Sequence, residues 1–351
     1  MRRLLFVTQQ VDPGHPALAA TVPKIRALAE RVDEVVVLAD RTVAGALPAN
    51  CRSLSFAAHT RAGRGARFER LLAGELVRRP RPLAVVAHMC PIYAVLAAPL
   101  VRPLGVPLLL WYTHWHRTRT LEAAAGVSTA IVSVDRRSVP LDSKKVVPIG
   151  HGIDLTEFPC REEGRGKDDL RLVALGRYSR SKGLETMIRG VALSLEQGLD
   201  VRLELFGPAL SAAEREHRGS LERLVAELDL ARRVRLAHAV LRSEVPDLFS
   251  RADALVNNME AGAPDKVVYE AAASCLPVVV SNPVFDELLA GIDAQLMFDR
   301  DDPADLARRL AGLAALAPDG RMAVGRTLRA RVAERHSVGH WADGILEAAA
   351  R

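Results

Sequence analysis

The stretch Asn257–Asn282, NNMEAGAPDKVVYEAAASCLPVVVSN, decides the fold of this 351-residue chain. A turn rich in Gly, Ala and Pro comes first, a helix begins near Asp265, and an apolar strand from Pro277 to Val280 follows. Asp265 is placed to cap the first turn of the helix. A helix that leads directly into a buried strand is typical of α/β domains with a parallel sheet. Five residues repeat at helical spacing and predict the buried face of the helix: Val267, Val268, Ala271, Ala272 and Cys275.

The same helix carries two opposite charges four residues apart, Lys266 and Glu270. Both side chains project from one side of its first turns. The electropositive N-terminus of a helix, preceded by a loop that brings bare backbone close to a ligand, is a natural place for a phosphate group. A second interpretation stays open, in which the pair is only a solvated ion pair worth about 0.2–0.5 kcal/mol.

Length and composition indicate a globular protein of two domains. Hydrophobic residues make up 49% of the chain and charged residues 26%. The apolar region from Leu83 to Tyr112 is interrupted by four prolines, so it predicts strand, helix and strand rather than a membrane span, which needs about 20 uninterrupted apolar residues. The first apolar run is too short for a signal peptide. Four dispersed cysteines predict neither a zinc site nor a disulfide framework, and a reducing cytoplasm is the expected setting.

Short apolar runs alternate with helical patterns along the whole chain, which predicts parallel sheets covered by helices. We expect a first domain over residues 1–158, a polar linker over 159–169, a second domain over 170–335 and a final helix over 336–351. The predicted strands are 4–7, 35–38, 83–88, 106–111, 129–135, 170–175, 202–208, 234–236 and 277–280; a helix is predicted over 17–32.

Two loops of the first half follow predicted strands and are candidate ligand sites. Gly14 allows the chain to turn close to a ligand after the first strand, although an ordinary turn fits equally well. His114 and His116 alternate around Trp115 after the strand that ends at Trp111, which puts both imidazoles on the same side. No third ligand accompanies them, so a metal site is not expected. A purely structural role for His114 at the strand end stays open.

A basic segment from Arg61 to Arg81 carries seven arginines against two glutamates. It accounts for much of the net charge of +6 and suits an anionic partner. Nucleic acid is not expected, because aromatic residues that stack on bases make up only 4% of the chain. The two remaining interpretations are the solvated face of a helix and peripheral contact with an anionic membrane.

The second half opens with a strand that runs into GRYSRSKG, residues 176–183. Gly176 permits a tight turn, and Arg177 and Lys182 place two cations at the carboxyl end of the strand. Two such cations can grip a diphosphate through charge-assisted hydrogen bonds worth about 1.5–3 kcal/mol each. An exposed basic turn without a ligand is the other interpretation.

Three segments resemble signatures of the family 4 retaining glycosyltransferases, which have the GT-B fold. The stretch 257–282 resembles the family's carboxyl-terminal signature, in which a loop and a Glu on a helix precede EA-x-A-x-G-x-PVV. Residues 176–183 resemble GR-(L/F)-x-x-x-KG, and Gly150–Phe158 resembles the turn G-x-D-x-x-x-F that closes the first domain. The resemblance implies an α/β fold of two doubly wound, Rossmann-like domains facing one another across a cleft, with a C-terminal helix that crosses back to the first domain.

The resemblance also implies roles for individual residues. Arg177 and Lys182 would contact the donor diphosphate, and Glu270 would hold the ribose hydroxyls. The family spacing puts its first Glu at Gly262, and the nearest upstream acid is Glu260, so either Glu260 or the backbone near Gly262 would hold the sugar hydroxyls. The implied catalytic residues are Arg177, Lys182, Glu260 and His114; the implied donor-binding residues are Gly14, Gly176, Arg177, Lys182, Gly262, Asp265, Lys266 and Glu270.

The implied function is transfer of a sugar, a hexose in this interpretation, from a nucleotide-diphosphate sugar to an acceptor with retention at the anomeric carbon. The two cations take the place of a metal, so we expect neither a metal nor a cofactor. The basic segment favours a lipid or surface-bound acceptor and a location at the cytoplasmic face of the inner membrane. Two alternatives are a nucleotide-sugar epimerase and a non-catalytic protein that only binds a nucleotide sugar.

Overall fold

The computed structural model describes residues 1–15, 18–161, 169–262, 264–292 and 294–351. The chain divides into two compact units, one formed by Met1–Asp154 with Arg335–Arg351 and the other by Leu155–Glu334. The division falls after Asp154 rather than after Phe158. Phe158 is 1% exposed and packs against Phe249 of the second unit, with ring centroids 6.3 Å apart. Residues 162–168 of the predicted linker and residue 17 of the first predicted helix lie outside the described residues.

The first unit is a parallel sheet of seven strands in the order β3-β2-β1-β4-β5-β6-β7. Alternation of buried apolar strands with helical segments produces this doubly wound arrangement, as the pattern predicts. The strands are β1 (Arg3–Val11), β2 (Glu34–Thr42), β3 (Cys51–Ser55), β4 (Val85–His88), β5 (Leu108–Trp111), β6 (Ala130–Ser133) and β7 (Val146–Pro148); the helices are α1 (Thr21–Ala29), α2 (Arg61–Val77), α3 (Pro91–Val101) and α4 (Arg119–Val127).

The second unit is a parallel sheet of five strands in the order β10-β9-β8-β11-β12. One face of this sheet packs on a core of aliphatic residues that α5, α6 and α10 complete. The strands are β8 (Leu170–Leu175), β9 (Val201–Phe206), β10 (Val234–Ala237), β11 (Ala254–Asn257) and β12 (Val278–Val280); the helices are α5 (Leu184–Glu196), α6 (Ala212–Glu227), α7 (Val245–Arg251), α8 (Lys266–Ala273), α9 (Asp286–Leu289), α10 (Pro303–Ala315) and α11 (Pro318–Arg335).

The last helix, α12 (Val338–Ala349), belongs to the first unit, where it packs on α1. The turn over Gly150–Asp154 contacts the residues that precede α12. The amide nitrogens of Gly152 and Ile153 donate to the carbonyl oxygen of His336 at 3.0 and 2.8 Å. Gly150 has a φ of 73°, and a Cβ there would lie 1.8 Å from the carbonyl oxygen of Arg335. Only glycine fits this close approach.

Cys160 and Cys275 form a disulfide across 115 residues of sequence. The prediction that the cysteines form no disulfide is therefore wrong for this pair. Cys275 follows α8 with a φ of 56°, a conformation that usually selects glycine after a helix. The disulfide fixes this end of α8 to the segment that follows Phe158.

Candidate functional site

The loop after β8 presents two cations at the carboxyl edge of the second sheet. Gly176 comes directly after the strand, Arg177 follows it, and Lys182 ends a 3-10 turn over Arg180–Lys182. The amide nitrogen of Gly176 donates to the carbonyl oxygen of Phe206 at 2.9 Å. With a φ of 150°, a Cβ at Gly176 would lie 2.8 Å from Cε of Lys182. The glycine is therefore what leaves room for the lysine side chain.

Arg177 is anchored by Glu214 at the start of α6. Its Nε donates to Oε1 of Glu214 at 2.7 Å. Glu214 also accepts bonds from the amide nitrogens of Leu210 and Ser211 and forms a capping box with Ser211. Burial raises the pKa of Glu214, but the bonds from Arg177 and the two amides outweigh it and hold that pKa below its usual value. The Arg177 side chain is 57% exposed and has N–H donors beyond those that bind Glu214.

Lys182 forms a salt bridge with Asp265, and the two side chains are 15% and 17% exposed. The same carboxylate oxygen accepts from Nδ2 of Asn257 at 2.8 Å. Asp265 occupies the N-cap position of α8, but its side chain caps no helix amide. The predicted capping role is wrong because the carboxylate is bound by Lys182 and Asn257 instead. These contacts tie the loop after β8 to the start of α8.

The segment between β11 and α8 lies against the turn that carries Lys182. The amide nitrogen of Glu260 donates to the carbonyl oxygen of Ser181 at 2.9 Å, and the Glu260 carbonyl accepts from Nδ2 of Asn282 at 3.2 Å. The Glu260 side chain is exposed, and Gly262 has a φ of 129°, which favours glycine. The structure thus brings Glu260 beside the two-cation loop. A contact of Glu260 or Gly262 with a sugar stays a prediction.

Glu270 lies on α8, is 5% exposed and accepts two charged hydrogen bonds at one oxygen. Lys266 Nζ and Arg242 NH1 each donate to its Oε1 at 2.6 Å. Arg242 also donates to Oε2 of Glu157, from Nε at 3.1 Å and from NH2 at 2.5 Å. The Lys266–Glu270 pair that the helical spacing predicts is therefore one part of a network of four charges, in which Glu270 is buried and Lys266, Arg242 and Glu157 are partly exposed.

Arg242, which orients Glu270 from the turn after β10, was not predicted from the sequence. The available signal was an arginine soon after a strand, but nothing in the spacing links it to Glu270. Burial raises the pKa of Glu270, but the positive charges of Lys266 and Arg242 lower it by a larger amount. The pKa of Glu270 therefore lies below its usual value. Burial lowers the pKa of Arg242, and Glu270 and Glu157 raise it above its usual value. The carboxylate of Glu270 is thus held ionised inside the domain.

The first unit contains a pocket of about 770 Å³ at the carboxyl ends of its strands. Aromatic and aliphatic side chains form much of the wall, and polar and charged side chains complete it. The lining residues are Gln9, Gln10, Asp40, Phe56, Arg61, Arg64, Gly65, Met89, Cys90, Pro91, Ile92, Tyr93, Leu96, Tyr112, His114, His116, Thr118 and Thr120. Parallel α/β sheets bind ligands at this edge.

His114 and His116 both line this pocket, as their alternation predicts. Nδ1 of His114 accepts from the amide nitrogen of His116 at 3.0 Å, and the His114 ring stacks on Trp115 with centroids 5.4 Å apart. Desolvation and the neighbouring His116 lower the pKa of His114. The amide nitrogen of Gly14 donates to Oδ1 of Asp12 at 2.9 Å in a turn after β1, and a contact of Gly14 with the donor stays a prediction. Gly14 does not line the first-unit pocket.

Across the parts of the chain that the structure describes, no group of three His, Cys, Asp or Glu side chains could hold a metal ion. Metal independence itself stays a prediction. The same parts contain no helix long and apolar enough to cross a membrane.

Comparison with solved structures establishes the class of fold. Sucrose-phosphate synthase from Thermosynechococcus elongatus superposes with a TM-score of 0.75 at 16% identity, covering 99% of this chain and 98% of that one. Anabaena Alr3699/HepE in complex with UDP-glucose gives 0.76 at 16% identity and covers 99% of both chains. WaaG, a glycosyltransferase involved in lipopolysaccharide biosynthesis, gives 0.65 at 15% identity and covers 98% of both. The two Rossmann-like units therefore form a GT-B fold.

The sequence of the second unit matches one protein-family model. Residues 169–315 match the model of the family described as glycosyl transferases group 1. The matched segment contains both cations of the loop after β8 and the whole of α8. No curated protein sequence matches the chain.

Proposed function

We propose that this protein is a retaining, metal-independent glycosyltransferase of the family 4 type, which transfers a hexose from a nucleotide-diphosphate sugar to an acceptor. The observation that carries the proposal is the convergence of Arg177, Lys182 and the start of α8 at one edge of the second sheet. The neighbour Alr3699/HepE has been solved with UDP-glucose, which supports a donor of this class.

Arg177 and Lys182 would act on the diphosphate as it leaves. Both cations already have carboxylate partners, Glu214 and Asp265. A donor diphosphate would bind the remaining N–H donors of Arg177 and compete with Asp265 for Lys182. Fixed positive charge at this position lowers the activation barrier for transfer, because the two cations are already oriented to stabilise the negative charge that develops on the leaving nucleotide. In this mechanism Glu270 holds the ribose hydroxyls and Glu260 or the backbone at Gly262 holds the sugar.

The pocket of the first unit is the proposed acceptor site. Its wall combines aromatic side chains with the guanidinium groups of Arg61 and Arg64, and Ile92 at the pocket is 49% exposed. This combination suits an amphiphilic acceptor with an apolar part and an anionic group. His114 would lie near the transferred sugar. WaaG is involved in lipopolysaccharide biosynthesis, which is consistent with a lipid-linked acceptor for this chain.

The basic segment Arg61–Arg81 is the proposed membrane contact, at the cytoplasmic face. Six of its seven arginines are exposed, at the ends and outer side of α2 and beyond it: Arg61, Arg67, Arg70, Arg78, Arg79 and Arg81. Co-sedimentation with vesicles that contain anionic lipid tests this contact. Replacement of Arg67, Arg70 and Arg79 by Ser should abolish binding, and unchanged binding would refute the membrane role.

A transfer assay with a panel of nucleotide sugars and lipid or small-molecule acceptors tests the proposed function. Transfer in the presence of EDTA, with an unchanged anomeric configuration by NMR, is the expected result. Tight donor binding without any product would favour a non-catalytic protein. Conversion of the donor to its epimer would favour the nucleotide-sugar epimerase.

A further inference from the structure

Arginine side chains line one face of the second sheet. Residues of β8, β9 and β10 alternate, with aliphatic residues on the core side. The other side carries Arg171, Arg202, Glu204 and Arg235, together with the buried Val173. A groove of about 500 Å³ opens on this charged face. We call it the arginine groove. Its lining residues are Arg171, Leu172, Val173, Arg202, Leu203, Glu204, Ala231, Arg232, Arg233, Val234, Arg235, Leu248, Arg251 and Ala252.

The arrangement of two of these arginines is unfavourable for the sheet alone. Arg171 of β8 and Arg202 of β9 are direct register partners. Like charges directly opposite one another destabilise a sheet, and parallel sheets are usually apolar on both faces. Both guanidinium groups share one carboxylate, Asp169, with N–O distances of 3.1 and 3.2 Å. A ligand with negative charge would relieve this repulsion.

The described residues leave the groove with excess positive charge. Six arginines line it, and three carboxylates pair with them: Asp169, Asp200 and Glu204. Three positive charges are therefore left over within the described part of the chain. Neither Arg232 nor Arg251 has a carboxylate partner there, and both side chains are exposed. The charge that is available for a ligand lies on these two residues in particular.

We propose that the arginine groove binds a compact ligand that carries two or more phosphate groups. Guanidinium groups bind phosphate oxygens in a bidentate manner, and every cation that lines the groove is an arginine. The volume falls in the range of small-molecule sites, about 300–1,000 Å³. The lining contains no aromatic side chain on which a nucleic-acid base could stack. The large exposed hydrophobic residues of the second unit, Leu210 and Leu241, lie outside the groove, so it offers nothing for insertion into a lipid layer.

This site is distinct from the loop that carries Arg177 and Lys182. Arg171 lies near the start of β8, whereas Gly176 follows the last residue of that strand. Five residues of extended strand separate them by about 16 Å. The arginine groove therefore adds a second phosphate site to the same domain, and it does not depend on the proposed transfer reaction.

Calorimetric titration of the whole chain with tripolyphosphate at physiological ionic strength tests the proposal, because weak non-specific attraction is largely screened under these conditions. The wild type should bind at two sites. The variant Arg232→Ser/Arg251→Ser keeps every ion pair of the described residues and should lose about tenfold or more in affinity at one site. The control Arg189→Ser/Arg223→Ser removes the same charge from exposed positions on α5 and α6 and should bind like the wild type.

The donor-loop variant Arg177→Ala/Lys182→Ala separates this proposal from the proposed function. It should lose transfer activity and one tripolyphosphate site while it keeps the groove site. Binding that disappears entirely in this variant, or that is equal in the groove variant and the surface control, would overturn the groove proposal. Arg202→Lys gives an independent check, because it keeps the positive charge but removes the planar guanidinium that binds phosphate oxygens in a bidentate manner. It should weaken groove binding several-fold, and wild-type affinity would overturn bidentate recognition.

Discussion

Arg242 NH1 donates to Oε1 of Glu270 at 2.6 Å, and this bond joins the turn after β10 to the middle of α8. The same guanidinium group donates to Glu157 and lies 5.4 Å from the centroid of the Phe158 ring. Glu270 is thus positioned by a residue that comes 28 positions earlier in the chain. Replacement of Arg242 should therefore act on whatever Glu270 binds.

Arg242→Ala should raise the KM for the nucleotide-sugar donor about tenfold or more, while kcat changes less. It should also lower the free energy of unfolding by about 3 kcal/mol, because it leaves Glu270 buried with one cation instead of two. Arg242→Lys should restore part of the affinity. Steady-state kinetics and urea unfolding measure both effects. Glu157→Gln is the matched control, because it removes the charge of the other carboxylate that binds Arg242. If this variant raised the KM as much as Arg242→Ala does, Arg242 would not act by orienting Glu270.

The pH dependence of stability follows from the depressed pKa of Glu270. A carboxyl with a lower pKa in the folded state stabilises the fold above its unfolded pKa of about 4.5, and this stabilisation is lost as the pH falls through the folded value. Arg242→Ala should raise the folded pKa of Glu270. Acid unfolding of the variant, followed by circular dichroism, should therefore begin at a higher pH than in the wild type. Coincident acid transitions would contradict the coupling of these two residues.

Arg177→Ala and Lys182→Ala should each lower kcat about 100-fold, because each removes one group that stabilises charge on the departing diphosphate. Arg180→Ala is the matched control, since Arg180 is an exposed cation in the same turn. Donor hydrolysis and transfer rates measure the effect. Wild-type rates in both variants would eliminate the mechanism.

Gly207→Ala should deform the loop that carries Arg177. A Cβ at Gly207 would lie 1.7 Å from the carbonyl oxygen of Gly176, so the backbone must move. We expect a loss of donor affinity and a destabilisation of about 1–3 kcal/mol. Gly219→Ala on α6 is the control, because the nearest atom to its Cβ is Arg223 NH1 at 3.8 Å. That change should stabilise the helix by about 0.5–1 kcal/mol.

Cys160→Ser should lower the free energy of unfolding by about 2–5 kcal/mol, because the lost crosslink closes a long segment of the chain. Urea unfolding with and without dithiothreitol measures the effect. Reductant should destabilise the wild type to the level of the variant. Cys51→Ser is the control, because Cys51 lies outside the disulfide. In this variant, dithiothreitol should lower the free energy of unfolding as much as it does in the wild type. Insensitivity of the wild type to reductant would show that the disulfide contributes nothing to stability.

The sequence was sufficient for nine of the twelve strands that the structure describes and for the loop after β8, whereas β3, β7 and β11 were not predicted. Apolar runs of four to six residues separated by helical periods predict β4, β5, β8 and β12, since these patterns depend on local burial. The motif around Arg177 and Lys182 was also visible, because both residues lie within one short turn. The partners of these cations were not visible. Glu214 and Asp265 lie 37 and 83 residues away from them, respectively.

What the sequence determined by itself is most of the alternation of strands and helices and the placement of cations at a strand end, because hydrophobic period and turn chemistry act over a few residues. Only the tertiary structure decided that Arg242 holds Glu270, that Cys160 meets Cys275, and that Asp265 binds Lys182 instead of capping α8. It also decided that arginines from separate strands line one groove. These contacts join segments far apart in the chain, and parallel pairing of the strands is what brings them together.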